Sequence, residues 1–166
     1  MTKPGLYLLS LLSLLGACAA YSGSGLQPGV TRLAEVEQSM GQPALRWHNA
    51  DGSQQLAYPR GPAGFDTFMV SLGPDGRLQS IENVLDARHL ERIRPGMNQE
   101  QVLRTLGPPD RDCTVYFKAR DELVWDWRFR AVSGEASRML VLFDNSAGTV
   151  RSTMVLPERK GLLGGC

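Results

Sequence analysis

The chain is poor in the residues that usually carry catalysis or bind metal. Of its 166 residues only two are histidine, His48 and His89, and three are cysteine. Neither histidine stands at a spacing with cysteine or carboxylate that reads as a metal site. Cys113 lacks the flanking signature of a thiol nucleophile. There is no phosphate loop: the glycines at 23 and 25 lie in a Gly/Ser stretch and follow no strand pattern. The neighbouring carboxylates Asp121 and Glu122 open a strand rather than form an acid–base pair. These gaps argue against an enzyme, and no cofactor or metal is expected. Excess charge is missing as well. Eighteen Lys and Arg stand against 17 Asp and Glu, so the basic balance that draws proteins to nucleic acid is absent. Long apolar runs are also missing. The longest, 6–17, falls short of the roughly 20 residues a membrane-spanning helix needs.

That short run is nevertheless informative. It follows a start with one cation, Lys3, and closes at Leu15-Gly16-Ala17-Cys18. A charged start, an apolar stretch and small residues make a secretory signal. The last four residues resemble a bacterial lipobox. The resemblance implies that the Cys18 sulfur takes a diacylglyceryl group, that cleavage follows before Cys18, and that the new amine is acylated. Two or more acyl chains hold a protein firmly to a membrane. Ala19, where an Asp would favour the inner membrane, implies the outer membrane, with the domain facing the periplasm. The reading is therefore a signal peptide over 1–17 and a lipidated tether over 18–27. The Gly/Ser composition of the tether makes it a flexible linker. The 149 residues left after cleavage suffice for one domain with a real core. They carry equal numbers of basic and acidic residues, because only Lys3 is lost. With Cys18 lipidated, Cys113 and Cys166 remain as an even pair in an oxidising compartment. Either a disulfide fastens the tail 158–166 to the domain, or both stay as thiols.

An internal repeat organises the remainder. Pro28-Gly29-Val30-Thr31 is echoed by Pro95-Gly96-Met97-Asn98, and Leu56-Ala57-Tyr58 by Leu123-Val124-Trp125, each 67 residues on. The expected copies are 28–85 and 86–157. In the second, Asn98 caps a helix, Gln101 completes a capping box, and Met97 staples onto Val102. Val102, Leu103 and Leu106 share a face, and Gly107-Pro108-Pro109 stops the helix. In the first, Val30, Leu33, Val36 and Met40 form the stripe, Thr31 caps, and Gly41 with Pro43 ends it. A short helix is expected over 86–93, with Leu90 and Ile93 on one face. Strands are expected at 53–58, 66–72, 77–85, 122–130, 138–144 and 149–156. Helices followed by meandering strands make an α+β fold, with short helices packed on small antiparallel sheets.

Along 122–130, Leu123, Trp125, Trp127 and Phe129 point one way and are read as sheet-to-helix packing. Arg128 and Arg130 point the other way. With Trp47 and Arg46 they are candidates for a partner surface, since Trp and Arg are enriched at binding hot spots. The competing reading is a solvated sheet face.

The run Arg94-Pro95-Gly96-Met97-Asn98, with Val102 and Leu106-Gly107-Pro108-Pro109 behind it and Trp125 and Trp127 in the next strand, resembles the signature of the SmpA/OmlA (BamE-like) outer-membrane lipoproteins. The family fold is two short helices on a three-stranded antiparallel sheet. Doubled, it resembles the fold of the β-lactamase inhibitory protein. Family members assist the machinery that folds β-barrel proteins into the outer membrane, acting by contact and without catalysis. The resemblance thus implies a lipid-anchored, non-catalytic binding module with a protein partner in or near that machinery, supporting assembly or envelope integrity. The alternative is a periplasmic inhibitor that occludes a hydrolase.

Overall fold

The computed structural model describes residues 22–61 and 64–158. Each half runs from a helix into a four-stranded antiparallel meander. The first half has α1 (Leu33–Met40), β1 (Leu45–His48), β2 (Gln54–Pro59), β3 (Thr67–Leu72) and β4 (Leu78–Asn83). The second has α2 (Ala87–Leu90), α3 (Gln99–Leu106), β5 (Val115–Phe117), β6 (Glu122–Arg130), β7 (Ala136–Asp144) and β8 (Thr149–Pro157). Strand order follows chain order in both sheets. This is the expected α+β class, with one edge strand more per sheet than the six-strand reading, β1 and β5.

Local chemistry sets the helices. Asn98 accepts from the Gln101 backbone N–H at 2.9 Å, and the Gln101 side chain accepts from the Asn98 backbone N–H at 2.8 Å. Both partners of the staple lie at the second core, Met97 partly and Val102 fully buried. Asn98→Ala is expected to cost about 1 kcal/mol, visible as a Tm lowered by a few degrees. An unchanged Tm would show the cap to be dispensable.

The first helix starts one residue later than expected. Its N-cap is Arg32, whose backbone N–H donates to the Glu35 carboxylate at 2.7 Å. The Thr31 hydroxyl instead accepts from the Gln27 N–H at 2.8 Å and closes the preceding turn. The extra residue of this half thus sits ahead of the helix. Val30 lies in the same turn and is exposed, outside the stripe. α2 is also shorter than expected. Asp86 caps it, and past Leu90 the hydrogen bonds tighten to three-residue turns, the Arg92 N–H donating to the His89 carbonyl and the Ile93 N–H to the Leu90 carbonyl.

Three cores form. Val36 and Met40 of α1 close one face of the first sheet over Leu56, Tyr58, Val70, Leu72 and Leu78. Its other face carries Ala57, Met69 and Val84, beside α3: the Gln55 amide donates to the Arg104 carbonyl at 2.9 Å. The inner face of the second sheet packs Trp125, Trp127, Phe129, Met139, Val141 and Phe143 against Leu90, Ile93, Val102 and Leu106. The tryptophans are therefore core, as their alternation predicts. Trp125 meets Trp127 and Phe143 edge-to-face, with centroids 6.0 and 4.7 Å apart.

The halves share a detail where helix meets hairpin. Arg32 bridges Arg77, and Asn98 bridges Thr149. Around these bridges, the Gly29 N–H donates to the Leu78 carbonyl and the Leu78 N–H to the Thr31 carbonyl. In the second half, the Gly96 N–H donates to the Val150 carbonyl and the Val150 N–H to the Met97 carbonyl.

Candidate partner surface

The outer face of β6 carries Val124, Asp126, Arg128 and Arg130. The Arg128 guanidinium grips Glu158 through three contacts of 2.7–2.9 Å. It also stacks 4.1 Å from the centre of the Phe65 ring. Arg130 lies 4.2 Å from the same ring. Phe65 belongs to the connection between β2 and β3, so one aromatic side chain of the first half holds two cations of the second, a favourable geometry for a ring quadrupole. Beside Arg128, a groove of about 400 Å3 runs between the halves, lined by Leu45, Thr67, Leu85, Pro108, Asp110 and Trp127 among others.

Trp47 lies elsewhere. It sits opposite Gln55 on β1, half-buried against the Ala57–Met69–Val84 core, with the Arg104 guanidinium 5.3 Å from its ring. Arg46, on the reverse of the strand, pairs with Glu37 of α1. The structure thus brings Arg128 and Arg130 together through Phe65. No described contact joins them to Trp47, although Leu45, on the same face of β1, lines the groove. The partner role assigned to these residues rests on composition and position.

Sequence reading also missed the edges of the second sheet. Val115, Tyr116 and Phe117 of β5 are all exposed, as are Met154, Val155 and Leu156 of β8. Residues 152–156 carry no charge and no proline. Unguarded apolar edges are uncommon in natural sheets, because they template pairing with another chain. Exposed apolar edges of this kind have the chemistry to pair with another chain.

Beneath the outer face lies an ion network. Arg138 of β7 donates from Nε to Asp126 at 2.8 Å, and its Nη atoms lie 3.9 Å from Asp110 and 3.8 Å from Glu158. Asp126 is buried, and its Oδ1 has no hydrogen-bond partner among the described residues. Burial pushes its carboxyl above the ordinary range, against the opposing pull of Arg138. Glu158 is held below its usual range, chiefly by Arg128. Arg138 Nη2 also reaches the Cys113 sulfur at 2.8 Å. Cys113 is buried and disulfide-bonded.

His89, buried at the junction of the halves, places Nδ1 2.7 Å from Asp86 and Nε2 3.5 Å from Glu82. Partial burial of Asp86 works against its charge. Hydrogen bonds from the His89 backbone, the His89 ring and Arg88 outweigh this and hold the carboxyl at about 2. A depressed carboxylate contributes stability that is present above its unfolded value, near 3.9, and lost as pH falls through 2. Asp86→Asn, which keeps the capping acceptor, is expected to flatten the acid limb of a stability-versus-pH curve between about pH 4 and 2. An acid limb identical to that of the parent would exclude this role.

Cys18 and Cys166 lie outside the described residues, so the lipidation site and the pairing of Cys113 with Cys166 rest on the sequence. Residues 82–153 match the family model of the outer membrane protein assembly factor BamE domain. No curated protein matches the chain.

Proposed function

We propose that the chain, whose residues 82–153 match the family model of the BamE domain, is a non-catalytic binding module. In this reading it is held to the periplasmic face of the outer membrane by acyl chains on Cys18 and serves the assembly of outer-membrane proteins. The family match over 82–153 carries the reading. It covers α2, α3, the exposed β5, β6, β7 and the first five residues of β8, and ends just before Met154, Val155 and Leu156. The first half is read as a second copy of the same unit, supported by the matching bridges at Arg32–Arg77 and Asn98–Thr149. The partner surface comprises Arg128 and Arg130 about Phe65, with Trp47 on the first sheet.

The test is site-specific photocrosslinking in intact envelopes, with the crosslinker at Phe65, Arg130 or Trp47. Adducts with components of the barrel-assembly machinery are expected. Adducts only with a soluble hydrolase, together with its stoichiometric inhibition by the purified domain, would replace this reading with the inhibitor one. The anchor is tested separately: Cys18→Ser is expected to move the protein from the membrane fraction. Retention of the variant in that fraction would refute lipidation.

A further inference from the structure

The free edge of β8 changes character along its length. The Glu158 N–H donates to the Ala136 carbonyl at 2.9 Å. Antiparallel pairing alternates, so Leu156, Met154 and Ser152 also turn their backbone groups toward β7, opposite Arg138, Leu140 and Leu142. Thr153 and Val155 therefore turn theirs outward. At the other end, beyond a register shift opposite Leu142 and Phe143, the outward groups of Val150 are already taken. Its N–H donates to the Met97 carbonyl, and its carbonyl accepts from the Gly96 N–H, both at 2.8 Å. The turn at 96–97 thus covers the edge at Val150. Among the described residues nothing pairs with 151–157 on that side. The other sheet edges carry the usual guards, short length and charge. β5 has three residues, with the Arg120 guanidinium 4.8 Å from its Phe117 ring. β1 has four and includes Arg46. β4, which holds the place of β8 in the first sheet, has six and includes Glu82. β8 has nine, all exposed from Arg151 onward, and no charge falls between Arg151 and Pro157.

We propose that this edge binds a second copy of the chain: two β8 strands pair antiparallel about a twofold axis at Met154 and join two four-stranded sheets into one of eight strands. The open stretch 151–157 is centred on Met154, so this register uses all of it. Thr153 of one protomer then lies opposite Val155 of its partner, and Val155 opposite Thr153. All four residues turn their backbone groups toward the axis, which makes four hydrogen bonds. Neighbouring registers fail. An axis at Thr153 sets Leu156 opposite Val150 and drives it into the 96–97 turn. An axis at Val155 sets Thr153 opposite Pro157, which has no N–H to give. Charge agrees with the same choice. Arg151 of one protomer falls opposite Pro157 and beside Glu158 of its partner, so like charges are never opposed. On the two faces of the joined sheet, Met154 meets its own copy and Val155 meets Thr153, so apolar surface is covered on both sides of the seam. The pairing does not depend on the partner of the Phe65 surface.

The full-length protein in envelopes provides the test. At the axis the two Met154 Cα atoms form a non-hydrogen-bonded pair about 4.5 Å apart, within the span of a disulfide. Met154→Cys, oxidised in envelopes, is expected to give about tenfold more disulfide-linked dimer than the parent chain. In the same register the two Ser152 Cα atoms lie about 14 Å apart, beyond that span, so Ser152→Cys is expected to match the parent. Equal yields from the two variants, or no dimer from Met154→Cys, overturn the pairing. Native mass spectrometry of the detergent-extracted protein is expected to show a dimer for the parent and a monomer for Met154→Lys, which sets two cations against each other on the axis. Val155→Pro removes only an outward N–H, a change that an edge strand accommodates. It is expected to be monomeric with a Tm close to that of the parent. A monomeric parent, or dimers that persist in Met154→Lys, refute the pairing.

Discussion

Gly107→Ala is expected to destabilise the protein by about 3 kcal/mol, while the same change at Gly41 costs about 1 kcal/mol. The two glycines occupy equivalent places, each ending the main helix of its half with φ near +80°: 82° at Gly41 and 74° at Gly107. Both substitutions meet the same backbone penalty. The surroundings differ. A Cβ at Gly41 meets nothing within 4 Å. One at Gly107 would lie 2.6 Å from Thr67 Cγ2 and 3.6 Å from Ala57 Cβ. Thr67 is buried at the start of β3 and, being branched at Cβ, is stiff at χ1, so its methyl cannot swing aside as the end of a flexible chain could. Gly107 is where the second half seats on the first sheet, and its carbonyl accepts from the Trp127 indole at 3.3 Å. An added methyl must therefore separate the halves or displace Trp127. Chemical denaturation of both variants checks this. Equal losses at the two sites would show that backbone geometry alone matters and that the seat is loose.

The contrast between these glycines marks what could be read in the sequence. Each stop signal is local, a glycine after an apolar stripe with proline behind it, and both are recovered. So are α3 and β6, whose caps and alternation lie within ten residues. Alignment of the repeats places Thr31 opposite Asn98 and so predicts it as the cap. The inserted residue shifted the cap to Arg32, and Thr31 turned to Gln27 instead. β1 and β5 are edge strands of four and three residues. Their conformation comes from the partner strand, so their own pattern carries no signal. The candidate surface divides in the same way. Alternation puts Arg128 and Arg130 on one face. Their common partner Phe65 lies more than 60 residues away in a glycine-rich connection, and no periodicity links it to them. Equally, nothing in the spacing of Asp110, Cys113, Asp126 and Arg138 indicates that one guanidinium gathers the other three. The register of β6 against β7 and the path of the 108–114 loop bring them together.

Arg138→Met is expected to cost about 3–5 kcal/mol near neutral pH, because it strands a buried carboxylate. The side chains of Arg138 and Asp126 are 15% and 6% exposed, and Asp126 already leaves one oxygen unpartnered among the described residues. Methionine keeps much of the stem's packing but none of the charge. The pH dependence separates this cause from lost packing. Burial raises the Asp126 carboxyl, and Arg138 is what restrains the rise. Without Arg138 the carboxyl rises further. A carboxyl raised in the folded state destabilises the fold above its folded pKa and is relieved as falling pH protonates it. The deficit of Arg138→Met relative to the parent should therefore shrink from pH 8 to pH 4.5. Adding Asp126→Asn should restore part of the loss at pH 8 and little at pH 4.5. A packing defect alone would give the same deficit at both values and no rescue by the second substitution. That outcome would remove the ion network as the organiser of the outer face, where the Arg138 guanidinium meets both Cys113 and Glu158.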